Sequence, residues 1–361
     1  MEGEGRRLHG DGGQIDQRRF VGGPIVAAQQ GDQHPAFHER EEGQKTNARA
    51  ESHQRRASQQ STDDTGRRPC TATLDEGRAN QHLCATTGAP FLLRVILRPP
   101  MTINHVDHFR ARIASGQPCI GTGITFSDPA ISELVGDAGY DFTWIDMEHC
   151  PIDVPIALGH VMAVRGTGCA PLIRVPSGDP DTIKPILELH PAGIVVPQIR
   201  TADEVKQIVA SCKYPPAGTR GFGPRRGRGF GGIPYPEYLT DADQQILVFV
   251  QIEHIDAVNN LDEILQVEGL DGICLGFSDL AGSLGLPGQQ GHEKVVAISE
   301  DVVQRTRQTD KWMGLSMGWD PVTVPAWIER GVQWISISGD FNNLFTTATQ
   351  ILQAARNRTD G

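Results

Sequence analysis

The sequence predicts an α/β protein folded as a (β/α)₈ barrel, behind a disordered N-terminal extension. Three observations predict this. From about residue 118 onward, short apolar runs alternate with amphipathic helical patterns, eight of each in about 240 residues, which is the count and size of such a barrel. Several of those runs turn polar at their C-terminal ends, where a barrel collects its reactive groups. The first hundred residues show neither pattern and hold none of the five tryptophans and none of the four tyrosines.

The strands are expected at 118–125, 142–146, 170–174, 193–197, 246–252, 272–275, 313–316 and 334–338. Helical patterns fill 128–138, 154–165, 179–189, 202–212, 255–266, 293–308, 321–330 and 342–355. Asp179-Pro180, Thr201 to Glu204 and Asp320-Pro321 carry the chemistry of helix starts, a capping side chain ahead of proline or acidic first-turn residues. A doubly wound open sheet is the competing architecture, but no GxGxxG follows the first strand, which weakens a dinucleotide-binding reading.

Residues 1–100 are rich in Gln, Arg, Glu, Gly, Ser and His, and such a composition buries too little apolar surface to offset its ordering entropy. Pro99-Pro100 ends it and Met101 follows, so we expect a disordered or non-native extension over 1–100 and the barrel domain over 101–361. The net charge of −11 argues against nucleic acid or an anionic membrane as partner. No run of about 18 uncharged apolar residues suggests a membrane span, and the N-terminus has no apolar core of a secretory signal. Seven dispersed cysteines without a CxxC pair suggest reduced thiols and a cytoplasmic setting rather than disulfides or zinc.

The chemistry gathers at the strand ends. Asp146, Glu148 and His149 follow the second strand, Arg174 ends the third, and Gln198 follows the fourth. Gln251 and Glu253 end the fifth, Asp279 follows the sixth through Gly276-Phe277-Ser278, and Ser316, Ser338 and Asp340 complete the ring. Crowded carboxylates resist ionisation unless a cation joins them. Oxygen donors without a Cys or multi-His set suit Mg²⁺ or Mn²⁺ better than Zn²⁺. Glu253 and Asp279 are the expected direct ligands, with Asp146 supporting them. The lysines after Met101 (184, 206, 213, 294 and 311) all miss the strand ends, so a Schiff base has no nucleophile, and no G-x-S-x-G is present. Metal-assisted chemistry with a histidine base remains. The long segment from Tyr214 to Gln244, with Arg220, Arg225, Arg226 and Arg228 among glycines, reads as a lid whose arginines meet an anionic substrate; an RNA-binding element and a solvated loop are the alternatives.

Asp-Met-Glu-His at 146–149, Val195 to Gln198, Tyr214 to Pro224, Gln251-Ile-Glu253 and Gly276 to Gly285 together resemble the HpcH/HpaI aldolase family, the class II, metal-dependent pyruvate aldolases. The likeness runs from about Met101 to the C-terminal helix. It implies a (β/α)₈ barrel and a homo-oligomer, usually a hexamer with an exchanged terminal helix. It implies that Glu253 and Asp279 hold the ion, that His149 is the acid/base, and that Arg174 contacts the 2-oxo group, with Gln251, Gly276, Phe277 and Ser278 at the substrate. Glu188 stands where relatives have an acidic residue that supports the histidine from a neighbouring subunit. Some relatives have proline and alanine in place of Phe277-Ser278, which reshapes the pocket floor. The expected reaction is reversible retro-aldol cleavage of a 4-hydroxy-2-oxo acid to pyruvate and an aldehyde, with Mg²⁺, Mn²⁺ or Co²⁺. Oxaloacetate decarboxylation, a citrate lyase β-like CoA-ester lyase and a non-catalytic binding barrel stay open as alternatives. The aldehyde half is not set by these motifs.

Overall fold

The computed structural model describes residues 103–356, so the expectation for residues 1–100 lies outside the described residues. Eight parallel strands close into a barrel in chain order: β1 (Cys119–Ile124), β2 (Phe142–Asp146), β3 (Ala170–Arg174), β4 (Gly193–Val196), β5 (Leu247–Ile252), β6 (Gly272–Leu275), β7 (Trp312–Met317) and β8 (Trp334–Gly339). β8 pairs back onto β1, which settles the choice against an open sheet. The helices are α1 (Val106–Ala114), α2 (Ala130–Asp137), α3 (Val154–Ala163), α4 (Pro180–Leu187), α5 (Ala202–Cys212), α6 (Tyr235–Leu239), α7 (Ile255–Asn259), α8 (Leu261–Leu265), α9 (Phe277–Ser283), α10 (Glu293–Thr306), α11 (Thr323–Arg330) and α12 (Asp340–Arg356). Among the described residues no helix is long and apolar enough to cross a membrane.

Strand side chains alternate faces with period two, and the core divides accordingly. Phe142, Trp144, Leu172, Val195, Phe249, Cys274 and Trp334 form one buried cluster together with Phe109 of α1. Their neighbours of opposite parity, among them Ile145, Ile173, Val250, Ile273 and Leu315, pack under the helices in a second, larger cluster. Phe109 lies 5.7 Å from Phe142, 6.1 Å from Phe249 and 6.4 Å from Trp334 between ring centroids, so α1 plugs the barrel's N-terminal end. Aromatic rings fit inside because facing strand positions carry no side chain: a Cβ at Gly314 would fall 2.0 Å from the Trp334 ring. Continuing the inward series to the other end of the strands gives Asp146, Arg174, Gln251 and Glu253 (Phe142-Trp144-Asp146, Leu172-Arg174, Phe249-Gln251-Glu253), and the site follows from this parity.

The expected caps form. Asp179 accepts from the Asp181 amide, and Thr201 and Glu204 make a reciprocal capping box at the start of α5. Asp320 accepts from the amides of Val322 and Thr323, so α11 begins two residues later than the Pro321 signal suggested. The single helix expected over 255–266 is two, because Asn260 leaves helical geometry and its side chain donates to the Arg200 carbonyl.

The arginine-rich segment departs from expectation. It joins α5 to β5, and therefore sits at the N-terminal ends of the strands, the face opposite the site. Arg220 is buried, lies over the Tyr214 ring at 4.5 Å and pairs with Glu188 at 3.1 Å. Arg226 is buried and donates to the Leu189 carbonyl. Arg228 stacks on Tyr235 at 3.4 Å and donates to the Ile233 carbonyl. Within one chain these three arginines hold the segment together rather than facing a substrate.

Candidate active site

Asp146, the last residue of β2, organises the C-terminal end of the barrel. Its Oδ1 accepts the amides of Glu148 and His149, at 3.0 and 3.3 Å, folding the turn that carries the histidine. The same carboxylate takes the Arg174 guanidinium in a fork, Nε to Oδ1 at 3.0 Å and a terminal nitrogen to Oδ2 at 2.6 Å. Burial works to raise the Asp146 carboxyl, but the Arg174 hydrogen bonds and charge outweigh it and hold the group below its ordinary range. Arg174 has one more nitrogen to place, and this one lies 3.1 Å from Glu148 Oε2 and 3.5 Å from Gln251 Oε1. The Arg174 side chain also spans Trp144, 5.5 Å from its ring.

Glu253 stands just past β5 and is 2% exposed. Its Oε1 accepts the Gln198 amide at 2.7 Å and its Oε2 the Gln251 side-chain amide at 2.9 Å. Gln198 reaches this geometry with φ of 58°, a left-handed backbone for a non-glycine residue. Burial, together with the negative charges of Asp279 and Glu148, pushes the Glu253 carboxyl up to about 7. The Glu148 carboxyl is raised as well, first by burial and then by Asp146 and Asp279. A Cβ on Gly276 would lie 2.5 Å from Glu253 Oε2, so glycine there keeps the space in front of the carboxylate clear.

His149, Arg174, Gln251, Glu253, Gly276, Phe277, Ser278 and Asp279 line one cleft of about 430 Å³. All the expected ligand, base and substrate residues thus converge, with Asp146 directly behind Arg174. His149 Nε2 is 3.7 Å from Glu148 Oε2, on a side chain that is mostly exposed. Phe277 also rests against Trp327, ring centroids 5.4 Å apart. Glu188 falls elsewhere: it caps the C-terminus of α4 on the opposite face and pairs with Arg220, so within its own chain it does not meet His149. Asp340 and Ser338 are also spent structurally. Asp340 accepts from Thr125 and Phe126 and ties α12 to β1, while Ser338 donates to Asn343.

Two features carry no assignment from sequence. Glu148 is a charge beside His149 with no evident task in the motif, and it bridges Arg174 and His149. Gln290 enters the cleft from the turn before α10, where no motif marks it.

The donor set fits a hard divalent ion. Glu253 and Asp279 line one cleft, burial there disfavours the charged form of Glu253, and the side chains of Gln251 and Ser278 beside them offer oxygen. Among the described residues no group of three or more His, Cys, Asp or Glu is arranged around a common point, and Glu253 and Asp279 are the carboxylates that line this cleft.

Comparisons with known proteins agree with the geometry. Residues 124–317 match the family model for HpcH/HpaI aldolase/citrate lyase. A hydroxypyruvate/pyruvate aldolase of Pseudomonas aeruginosa is 33% identical over 246 residues, 68% of this chain and 91% of the relative. A 4-hydroxy-2-oxovalerate aldolase of Rhodococcus jostii is 38% identical over 58% of this chain and 81% of its own length. The crystal structure of an HpcH/HpaI aldolase/citrate lyase family protein from Burkholderia cenocepacia superposes with a TM-score of 0.65 at 28% identity, covering 69% of this chain and 99% of that one. With the closed barrel and the acidic cleft already in place, these matches show that the chain belongs to the HpcH/HpaI aldolase/citrate lyase family and is an enzyme of the class II aldolase type.

Proposed function

We propose that the chain cleaves a 4-hydroxy-2-oxo acid reversibly to pyruvate and an aldehyde, using a divalent ion held by Glu253 and Asp279. The observation that carries this reading is the meeting of those two carboxylates with Arg174 and His149 in one cleft. A divalent ion there would supply Lewis acidity to the 2-oxo acid, typically worth several kcal/mol. The chain's own residues do the rest. Arg174, locked by Asp146, holds fixed positive charge where the 2-oxo oxygen becomes an enolate oxygen. His149 takes the proton of the C4 hydroxyl. The C3–C4 bond then breaks, its electron pair passes into the pyruvate enolate, and the C4 oxygen becomes the aldehyde carbonyl. Glu148, 3.7 Å from the ring, is placed to stabilise the imidazolium that results. A proton delivered to C3 completes pyruvate.

This reading includes a homo-oligomer. Leu344, Phe345 and Ile351 on α12 are exposed apolar residues, a face suited to another copy, and Glu188 would act on His149 only across such an interface. Sedimentation of the purified protein tests assembly.

Pyruvate release from 4-hydroxy-2-oxo acids, with Mg²⁺ or Mn²⁺ and with chelator, tests the reaction. Pyruvate should form only with metal, and His149→Ala should lower kcat by about 10²–10⁴-fold with a smaller change in KM. Unchanged kcat in that variant would remove His149 from the mechanism. Oxaloacetate decarboxylation passes through the same enolate without a base at C4 and should survive the substitution.

A further inference from the structure

The pyruvyl half of the substrate occupies Arg174, Glu253 and Asp279, and this leaves one wall of the cleft without a task. On the β6–β7 side it consists of Ser278, Gln290, Ser316, Met317 and Gly318. Gln290 sits in the connection between α9 and α10, beyond a turn at Gly288 whose φ is 76°. It lines the cleft, and its Nε2 donates to Ser278 Oγ at 3.1 Å. Ser278 is in the first turn of α9, one residue before Asp279.

An amide and a hydroxyl that share one hydrogen bond keep at least one N–H or O–H donor and one oxygen acceptor free, whichever way the amide is turned. An alcohol both donates and accepts, so this wall complements it. A carboxylate only accepts, and a cation would normally meet it. Among the described residues lining the cleft, the basic side chains are His149 and Arg174, and Arg174 is already engaged by Asp146 and Glu148. Within their own chain, Arg220, Arg226 and Arg228 pack on the opposite face.

We propose that Ser278 and Gln290 form the subsite for the aldehyde half, and that they select an uncharged, hydroxylated aldehyde over an apolar or an acidic one. The proposal rests on the aldolase reading above and extends it to the substrate's second half. Gln290 lies on the surface side of the wall, so its replacement leaves the core intact.

The test runs in the synthetic direction with the full chain, Mg²⁺ and pyruvate, comparing glyceraldehyde, propanal and succinic semialdehyde by kcat/KM. Intrinsic reactivity differs among these aldehydes, but it cancels when their ratios are compared between wild type and variant. Gln290→Leu should shrink the glyceraldehyde-to-propanal ratio about tenfold, because the hydroxyl loses its partner. Gln290→Arg should raise the ratio of succinic semialdehyde to glyceraldehyde by about tenfold. Ratios unchanged in both variants, or a wild type that prefers succinic semialdehyde, would overturn the subsite. Exchange of pyruvate's C3 protons with deuterium, followed by NMR without aldehyde, separates the two levels. Metal-dependent exchange with unchanged ratios leaves the aldolase reading standing and removes the subsite. No exchange with Mg²⁺ removes both.

Discussion

Two regions of this molecule are crowded with charge, and they do opposite work. At the C-terminal ends of β2, β3 and β5, Asp146, Arg174 and Glu253 surround a cleft and leave charge imperfectly compensated. In the segment from Tyr214 to Gln244, three arginines end on carbonyls, aromatic faces and a single carboxylate of their own chain, although Arg220 Nε and one terminal nitrogen of Arg226 are buried without a hydrogen-bond partner. Composition makes the second region look more functional than the first. Strand direction decides the other way, because groups that follow a strand's C-terminal end converge on the barrel axis, whereas an αβ connection lies on the far face. The site holds a buried carboxylate, Glu253, beside further negative charge, whereas the arginines of the scaffold are held by contacts within their own chain.

The sharpest way to break this comparison is to remove a charge from each region. Glu253→Gln keeps the shape of the side chain and removes the charge of one proposed metal ligand. The chemistry lost is worth several kcal/mol, so at about 1.4 kcal/mol per decade kcat/KM for pyruvate release should fall about 10³-fold, and calorimetry should show weakened Mn²⁺ binding. Arg174→Lys keeps the charge but loses the fork to Asp146, and a loss of about 10²-fold is expected. If either variant stayed within threefold of wild type, the acidic cleft would not be the reaction centre.

Protonation gives a second contrast. A carboxyl whose folded-state pKa is raised binds its proton more tightly when folded, so its burial costs stability once it ionises. For Glu253 that window runs from the ordinary 4.5 up to about 7. Metal-free protein should therefore lose stability as pH rises through this range, by about 3 kcal/mol at most. Divalent metal should cancel the loss, and Glu253→Gln should flatten the slope. Asp146 has the opposite sign: its carboxyl is held below the ordinary 3.8, and the stability it contributes is lost only under more acid conditions. Urea melts at pH 5 and pH 8, with chelator and with Mg²⁺, read the difference. In the scaffold region, Arg226→Met should cost about 1–3 kcal/mol by leaving the buried Leu189 carbonyl without its donor, while kcat stays within twofold. A fall in kcat without a fall in stability would return the segment to the substrate.

Much of this arrangement is legible in the sequence. β2, β3 and β6 fall on the residues where apolar runs end, and the inward parity that fills the barrel with Phe142, Trp144 and Phe249 also fixes which polar residues reach the cleft. α1 is invisible there because its buried face is only Val106, Phe109 and Ile113, scattered among charged residues. α9 looks like a loop because Gly276 and Gly282 bracket a short run that already resembles a ligand turn. The lid reading is not met within one chain, because arginine content says nothing about which face of the barrel a connection occupies. Gln290 has no signal at all: its place depends on how one turn folds back onto Ser278.

The smallest effect is expected at Cys150, which separates proximity from chemistry within the site itself. It follows His149 directly, and its Sγ lies 3.6 Å from Asp146 Oδ2. Position alone would suggest a nucleophile. Burial and the Asp146 charge instead push the thiol up to about 11, so at pH 8 only about one molecule in a thousand carries the thiolate. The S–H is a weak donor to a carboxylate that Arg174 already holds on both oxygens. Cys150→Ala should therefore retain kcat/KM within about threefold, and iodoacetamide should modify Cys150 far more slowly in the folded protein than in urea. Rapid alkylation of the folded enzyme with parallel loss of activity would show a thiolate in the site, and would mean that the Asp146–Arg174 pair leaves positive charge to spare.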